Sequence, residues 1–189
     1  MKFGLRRRYF RSLGNFGVLR FNLIRFLYGF DSANNYLKRA NKYAVIPILK
    51  FNKATIGKLC DIEAGLTFHN CKDYSNLTIG DNCHIGKNCF FDLKKEIIVG
   101  NNVTISMNTS LITHQDFGKS RVNLIYKPQD GGIQINDNVY IGTGSTILMG
   151  VSIGKCSIIG ARSLVNKIID EHVLAFGCPA QKKSIIREK

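Results

Sequence analysis

Aliphatic residues recur at every sixth position over the last third of the chain. From Ile135 the sequence reads INDNVY, IGTGST, ILMGVS, IGKCSI, IGARSL, VNKIID and EHVLAF, and the first six of these units begin with Ile or Val. A helix needs apolar residues at a spacing of about 3.6, whereas an ordinary strand alternates apolar and polar residues over a few positions. A strict six-residue period therefore predicts neither element alone.

The six-residue period predicts a solenoid built from triangular coils. Three short strands joined by tight turns would form one coil of about 18 residues, with the aliphatic side chain of each unit pointing inward. Successive coils would form hydrogen bonds across a spacing of about 4.8 Å. We expect Gly142, Gly154 and Gly160 at the corners, where a side chain would clash or the backbone needs an unusual φ.

The same pattern occurs upstream with interruptions. It begins at Ile56 and is clearest in IGDNCH and IGKNCF (residues 79–90) and in VGNNVT and ISMNTS (residues 99–110). The regular units end shortly before His114, and residues 115–132 contain none. A long loop on a rigid scaffold is usually functional. The sequence therefore predicts an all-β solenoid over residues 51–187 with one protruding loop, 115–132.

The first 50 residues have a different composition. They hold 11 of the 27 Lys and Arg residues of the chain and one of its 13 acidic residues, together with many aromatic and aliphatic side chains. We expect a helical extension. It should neither cross a membrane nor act as a signal peptide, because no apolar run reaches the roughly 18 residues of a membrane-spanning helix and Arg20 and Arg25 do not suit a signal peptide. Its amphipathic helices either contact the headgroups of an anionic membrane or only cap the first coil.

The charge and the cysteines narrow the class of protein. A formal net charge of +14 favours anionic partners. Nucleic acid is not expected, because no RRM, zinc-finger or helix–turn–helix pattern accompanies the charge. The six cysteines form no CxxC pair. We interpret them as small apolar residues of a cytoplasmic protein, not as zinc ligands.

The segment VYIGTGSTILMGVSIGKCSIIGARSLVNKIIDEHVLAFGCPA (residues 139–180) resembles the hexapeptide-repeat acyltransferases. The likeness extends over residues 54–187 and is greatest to galactoside and maltose O-acetyltransferases and to O-acetyltransferases of bacterial surface polysaccharides. It implies a left-handed parallel β-helix, a handedness that the period alone does not provide. It also implies a homotrimer that binds acetyl-CoA between neighbouring coils and acetylates a sugar hydroxyl, without a metal ion.

His114 is the candidate catalytic residue. On the pattern alone, a single histidine beside a loop is more often structural or merely exposed than functional. The resemblance reverses this expectation, because the catalytic histidine of the family lies at the same junction of strand and loop. Histidine has an unperturbed pKa of about 6.5, which suits a general base. No paired base or GxSxG motif accompanies Ser145, Cys156 or Ser157, so direct transfer is expected instead of a covalent acyl-enzyme.

The resemblance also indicates residues for the acceptor and the cofactor. Asp92 stands where similar enzymes place an Asn that touches the acceptor, so it would bind sugar hydroxyls or orient the histidine; an exposed corner carboxylate is the alternative. The positions that correspond to contacts with the pantetheine arm and the phosphates of CoA are Gly142, Thr143, Gly160, Ala161, Asn166, Lys167, Lys182, Lys183 and Arg187. The alternative for the last three is an ordinary solvated tail.

Two other functions and one other site remain open from the sequence. An amino-sugar N-acetyltransferase would keep the fold and change the nucleophile, and a non-catalytic β-helix would serve as an assembly or membrane-surface module. Zinc carbonic anhydrases share the six-residue repeat but need three convergent histidines. Here Lys119 stands where a nearby second histidine would be needed, and His69, His84 and His172 are interpreted as structural. We therefore expect no metal site.

Overall fold

The computed structural model describes residues 2–186, and the side chains of residues 9, 10 and 12–186. Two helices come first: α1 (Lys2–Leu37) and α2 (Lys42–Phe51). α1 breaks at Gly29, where φ is 82° and ψ is 172°. A residue with a side chain would be strained at this positive φ. The chain therefore changes direction at Gly29 before the helix continues to Leu37.

Short strands follow along the rest of the described chain. They are β1 (Thr55–Ile56), β2 (Asp61–Ile62), β3 (Thr67–His69), β4 (Leu77–Ile79), β5 (His84–Ile85), β6 (Phe90–Asp92), β7 (Ile97–Val99), β8 (Thr104–Ile105), β9 (Ser110–Leu111), β10 (His114–Gln115), β11 (Gln129–Asp130), β12 (Ile133–Ile135), β13 (Tyr140–Ile141), β14 (Thr146–Ile147), β15 (Ser152–Ile153), β16 (Ile158–Ile159), β17 (Leu164–Val165), β18 (Val173–Gly177) and β19 (Ala180–Ile185). A 3₁₀ helix, Arg121–Leu124, lies between β10 and β11.

The strands form three parallel sheets that are the faces of a solenoid. Face A has the order β1-β4-β7-β12-β15, face B has β2-β5-β8-β13-β16-β18 with β19 at its edge, and face C has β3-β6-β9-β14-β17. In each face the inward aliphatic residue of one coil pairs with that of the next, as Ile105, Ile141 and Ile159 do in face B. These three side chains are fully buried. The predicted β-solenoid is confirmed.

The corner glycines are required by contact between coils. A Cβ atom on Gly142, Gly154 or Gly160 would lie 2.5, 2.3 or 2.7 Å from an atom of the next coil. The positive φ angles occur two residues later, at Gly144, Cys156 and Arg162. The predicted clash is therefore the reason for these glycines, and the predicted unusual φ belongs to their neighbours.

Further elements pack at both ends of the solenoid. α2 buries Ala44, Val45, Ile48 and Leu49 in the apolar core that continues into the first coil. α1 packs so closely on α2 that a Cβ atom on Gly17 would lie only 2.3 Å from the Cβ atom of Ala44. At the other end β19 pairs antiparallel with β18. The helices therefore cap the first coil, which was one of the two roles open from the sequence. No helix among the described residues is long and apolar enough to cross a membrane.

The long loop leaves the solenoid between faces C and A. Its base is a short antiparallel ladder in which His114 pairs with Asp130 and Gln115 pairs with Gln129. All residues from 118 to 130 are exposed. The predicted protruding loop is thus confirmed, and its first strand begins at His114.

The six cysteines, all among the described residues, form no disulfide bond and are unevenly buried. Cys83 and Cys89 are buried, Cys60, Cys71 and Cys156 are partly buried, and Cys178 is exposed. Burial raises the pKa of the Cys89 thiol to about 11, and burial followed by nearby carboxylates raises that of Cys71 to about 12. These thiols remain protonated near neutral pH and are weak nucleophiles. Cys178 departs from the expected role as an apolar filler, since it follows the last inward-facing positions.

The adjacent residues Ile158 and Ile159 test whether the first aliphatic residue of each six-residue unit points into the solenoid. Ile159 is fully buried, whereas 37% of Ile158 is exposed on the outer side of the same strand. We expect Ile159→Ala to lower the free energy of unfolding by about 2–5 kcal/mol, because it leaves a cavity beneath the next coil. Ile158→Ala should cost less than about 1 kcal/mol. Guanidinium unfolding monitored by circular dichroism measures both, and equal losses would contradict the inward register.

Candidate active site

His114 lies where the last residues of a regular coil turn into the protruding loop. β9 ends at Leu111, Thr113 is fully buried, and His114 begins β10. The side chain of His114 is 21% exposed. The ring is thus held by the sheet on one side and is accessible on the other, as the sequence predicted for a functional histidine.

Asp92 lies one coil earlier, at the end of β6, and its carboxylate meets His114. Asp92 Oδ2 accepts hydrogen bonds from His114 Nδ1 at 2.5 Å and from the backbone N–H of Thr113 at 2.9 Å. Its Oδ1 accepts from Asn70 Nδ2 at 2.9 Å. The side chain is 1% exposed. The alternative of an exposed corner carboxylate is therefore wrong, since both oxygens are occupied inside the protein.

The protonation state of Asp92 follows from these contacts. Burial alone would raise the pKa of the carboxyl group, but hydrogen bonds from His114, Asn70 and Thr113 outweigh burial and lower the pKa below its usual value. Asp92 is thus ionised at neutral pH and only accepts hydrogen bonds. His114 Nδ1 must carry the proton in this pair, which leaves the lone pair of Nε2 free to accept a proton.

Asn70 follows β3, in the coil before Asp92, and contacts both Asp92 and His114. Its backbone has a φ of 53°, and its Nδ2 atom lies 3.3 Å from both ring nitrogens of His114. A point equally close to Nδ1 and Nε2 at this distance lies above the ring, because in the ring plane it would overlap Cε1. The Asn70 amide therefore restricts both the Asp92 carboxylate and the imidazole ring. Sequence reasoning missed Asn70 because it lies in an irregular insertion, residues 69–76.

A polar cleft borders this group. It has a volume of about 420 Å³ and is lined by Asp31, Asn34, Asn35, Thr67, Phe68, His69, Asn70 and Cys71. Asn34 fixes the far wall, because its Nδ2 donates to the carbonyl oxygen of Phe68 at 2.7 Å and its Oδ1 accepts from the hydroxyl of Tyr74 at 3.2 Å. The last turns of α1 therefore form one side of a cleft that ends at Asn70.

Four of the predicted cofactor residues meet at another corner. Gly142 lies directly against Ala161, whose nitrogen would be 2.5 Å from a Cβ atom on Gly142. Thr143 accepts a hydrogen bond from the backbone N–H of Arg162 at 2.9 Å. Phe176 packs over Gly160. We call this surface of Gly142, Thr143, Gly160 and Ala161 the glycine corner.

The other predicted cofactor residues are distributed around the solenoid. Lys183 lies near the glycine corner, with Nζ 5.2 Å from the centre of the Phe176 ring. The neighbouring Lys182 instead lies 3.7 Å from Asp170 Oδ2, at the opposite edge of face B. Asn166 and Lys167 follow β17, and Asn166 lines a cleft of about 480 Å³ with Asp130. Arg187 lies outside the described residues.

The glycine corner and His114 lie at opposite edges of face C. Gly142 precedes the face C strand β14, whereas His114 follows the face C strand β9. One side of a coil separates them, about six residues or roughly 20 Å of extended chain. One chain therefore does not bring the two groups to the same point.

The histidines form no metal centre within residues 2–186. No group of three His, Cys, Asp or Glu side chains there could hold a metal ion. His84 has its own acidic partner, with Nδ1 3.1 Å from Asp61 Oδ2 on face B, where Lys42 also contacts Asp61 at 2.7 Å. This second His–Asp pair is 42% and 52% exposed, in contrast to the buried Asp92.

Comparison with known proteins agrees with this architecture. The family described as "hexapeptide repeat of succinyl-transferase" matches residues 76–112 and 132–165. The chain is 33% identical to galactoside O-acetyltransferase of Lactococcus lactis over 147 residues, which are 75% of this chain and 67% of that protein. The chain spans between 52% and 67% of the length of the first curated relatives that it matches.

Solved structures show the same fold. A maltose O-acetyltransferase from Clostridium difficile superposes with a TM-score of 0.69 at 26% identity, covering 96% of this chain and 87% of that one. A hexapeptide-repeat acetyltransferase from Vibrio cholerae superposes with a TM-score of 0.72 at 22% identity, covering 95% and 94%. The predicted left-handed β-helix is thereby confirmed.

The lowered pKa of Asp92 gives a test that needs no knowledge of the reaction. A carboxylate with a lowered pKa in the folded state contributes stability that is present above its unfolded pKa of about 3.9 and is lost as the pH falls through the folded value. We expect Asp92→Asn to lower the free energy of unfolding by about 1–3 kcal/mol at pH 7, because buried donors lose a charged acceptor. The difference from the wild type should shrink below about pH 4.

Urea unfolding at a series of pH values between pH 3 and pH 7, with the pH of each sample held within about 0.2 unit, measures this dependence. Asp130→Asn is the matched control, since this carboxylate lies exposed on β11, the strand that pairs with β10. A difference for Asp92→Asn that stays constant over the whole pH range would show that the carboxylate is not ionised in the folded protein.

Proposed function

This chain belongs to the hexapeptide-repeat acetyltransferase family, and on that premise we propose that it transfers the acetyl group of acetyl-CoA to a hydroxyl group of a sugar. One observation carries the proposal: a partly exposed imidazole whose Nδ1 donates to the buried, ionised Asp92, at the strand-to-loop junction. An orienting carboxylate behind a histidine is the usual arrangement for a general base.

The reaction follows from the two ring nitrogens of His114. Nδ1 keeps its proton and donates it in the hydrogen bond to the Asp92 carboxylate, so Nε2 takes the proton of the attacking sugar hydroxyl. The sugar oxygen forms a bond to the thioester carbon, and the C–S bond then breaks. The departing CoA sulfur takes the proton from Nε2, which returns the imidazole to its first state. Asp92 orients the ring and stabilises the transient imidazolium, and we propose this role for it in preference to contact with the sugar.

Acetyl-CoA would bind along the glycine corner, where small residues leave the backbone open to the pantetheine arm. Lys183, whose Nζ lies 5.2 Å from the centre of the Phe176 ring beside the glycine corner, would attract the CoA phosphates. Because the glycine corner is one coil side away from His114, each complete site would combine His114 of one chain with the glycine corner of another. A homotrimer of triangular solenoids provides such pairs at each interface.

The acceptor would be a sugar of a surface polysaccharide, such as capsule or lipopolysaccharide, modified in the cytoplasm. The relatives named above act, by name, on galactosides and maltose. The cleft that ends at Asn70 is lined by carboxylate and amide groups of Asp31, Asn34 and Asn70. Such groups donate and accept hydrogen bonds, as recognition of a polyhydroxylated ligand requires.

Replacement of the base tests the proposal. We expect His114→Ala to lower kcat by about 10² to 10⁴ for acetyl transfer to a galactoside, because no group then removes the hydroxyl proton. The affinity for CoA, measured by isothermal titration calorimetry, should change less than about twofold, since the glycine corner and Lys183, not the imidazole ring, would make most of the contacts with CoA. Release of CoA, detected with a thiol reagent, gives kcat.

His84→Ala is the matched control, because His84 also pairs with an aspartate but on face B. It should retain wild-type turnover. Unchanged kcat in His114→Ala would place the base elsewhere. Turnover confined to an acceptor carrying NH₂ in place of one OH would make the protein an amino-sugar N-acetyltransferase, and no heat of CoA binding would favour a non-catalytic module.

A further inference from the structure

The outer side of α1 exposes a continuous apolar stripe. Phe16, Leu19, Leu23, Phe26 and Leu27 are 61%, 67%, 56%, 86% and 55% exposed. At 100° per residue these five positions fall within about 100° of the helix circumference, the width of a typical buried helix face. The inner side of the same helix already packs on α2, so the stripe is a second apolar side.

The stripe continues into a groove between the two helices. This groove has a volume of about 680 Å³ and is lined by Asn15, Val18, Leu19, Asn22, Pro47, Lys50 and Phe51. Phe51, at the end of α2, is 66% exposed. Contiguous exposed apolar surface of this kind marks a site of interaction on a soluble protein. We call the stripe together with this groove the α1 outer face.

The charge of this region indicates the partner. Residues 2–30 contain seven Lys and Arg residues and no Asp or Glu. Arg20, which lies beside the stripe, and Lys50, at the rim of the groove, are exposed. A second copy of the chain is a poor occupant, because two α1 outer faces would bring like charges together. An anionic surface with an apolar interior satisfies both the charge and the stripe.

We propose that the α1 outer face docks the protein on an anionic phospholipid bilayer. The helix would lie in the plane of the headgroups, with the stripe inserted and the basic residues beside lipid phosphates. The stripe extends from Phe16 to Leu27, about 17 Å of helix, which suits a helix lying on the surface and not one crossing it.

Docking through this face would also position the proposed active site. α1 is joined to the coil that carries Asn70, because Asn34 near its end donates to the carbonyl oxygen of Phe68. A docked helix would therefore hold His114 and the cleft that ends at Asn70 at a fixed distance from the bilayer. This arrangement suits an acceptor sugar that is itself attached to a lipid, a consequence that depends on the proposed function, whereas the docking surface does not.

Vesicle co-sedimentation of the full chain tests the docking. The probes are vesicles of phosphatidylcholine alone and vesicles in which about a third of the lipid is phosphatidylglycerol. We expect at least about tenfold tighter binding to the anionic vesicles, weakened at high salt. The double variant Leu23→Ser, Phe26→Ser should bind at least about tenfold more weakly than the wild type, because two inserted side chains are lost.

The matched control is the double variant Leu59→Ser, Ile168→Ser, which removes two apolar side chains that are 86% and 71% exposed on the solenoid. It should bind vesicles as the wild type does. Both double variants should keep wild-type turnover on a water-soluble acceptor, which separates loss of docking from loss of the proposed activity.

Three results would overturn the lipid assignment. Absence of binding to anionic vesicles would leave an acidic protein as the occupant of the face. Equal loss of binding in the two double variants would show that general surface apolarity, not the stripe, is responsible. A change of oligomeric state in the Leu23→Ser, Phe26→Ser variant without lipid, measured by light scattering, would make the face an interface between copies of this chain.

Discussion

The stacking of one inward aliphatic residue on the next fixes the whole structure. Ile105, Ile141 and Ile159 occupy the same place in successive coils of face B, and Leu111, Ile147 and Val165 do so in face C. A shift of one residue would turn every such side chain outward, so the register is strongly specified. This register also creates the site, because it pairs Phe91 with Leu111 and so brings Asp92 beneath Thr113 and His114.

The period in the sequence was sufficient for the architecture. It predicted the three-sided coil, the corner glycines and the place of the protruding loop, whereas the composition of the first 50 residues predicted the helical extension. The position of His114 followed from the end of the regular units. These features depend on local spacing, which a sequence displays directly. The handedness required the resemblance to a family, since the six-residue period alone does not determine it.

The finer parts of the site depended on segments that break the period. Asn70 belongs to an irregular insertion, and its contact with His114 spans 44 positions of the chain. The burial of Asp92 depends on Thr113 and Asn70 closing over it, which spacing does not reveal. Lys182 and Lys183 are neighbours in the sequence, yet β19 returns along β18 so that one faces Asp170 and the other faces Phe176. Only the backbone path of β19 shows that these two side chains lie near different residues.

The rigid solenoid holds His114 at one edge of face C and the glycine corner at the other edge. α1, which carries the α1 outer face, is fixed to the coil that contains Asn70. In this arrangement each complete site would belong to two chains. Co-refolding two inactive variants, His114→Ala and Ala161→Trp, tests this claim most directly, since Ala161 is exposed and tolerates a larger side chain. If the proposed homotrimer forms from a random mixture, about a quarter of the interfaces would pair an intact histidine with an intact glycine corner, so about a quarter of the wild-type activity should return. Mixtures as inactive as the separate variants would show that the site lies within one chain.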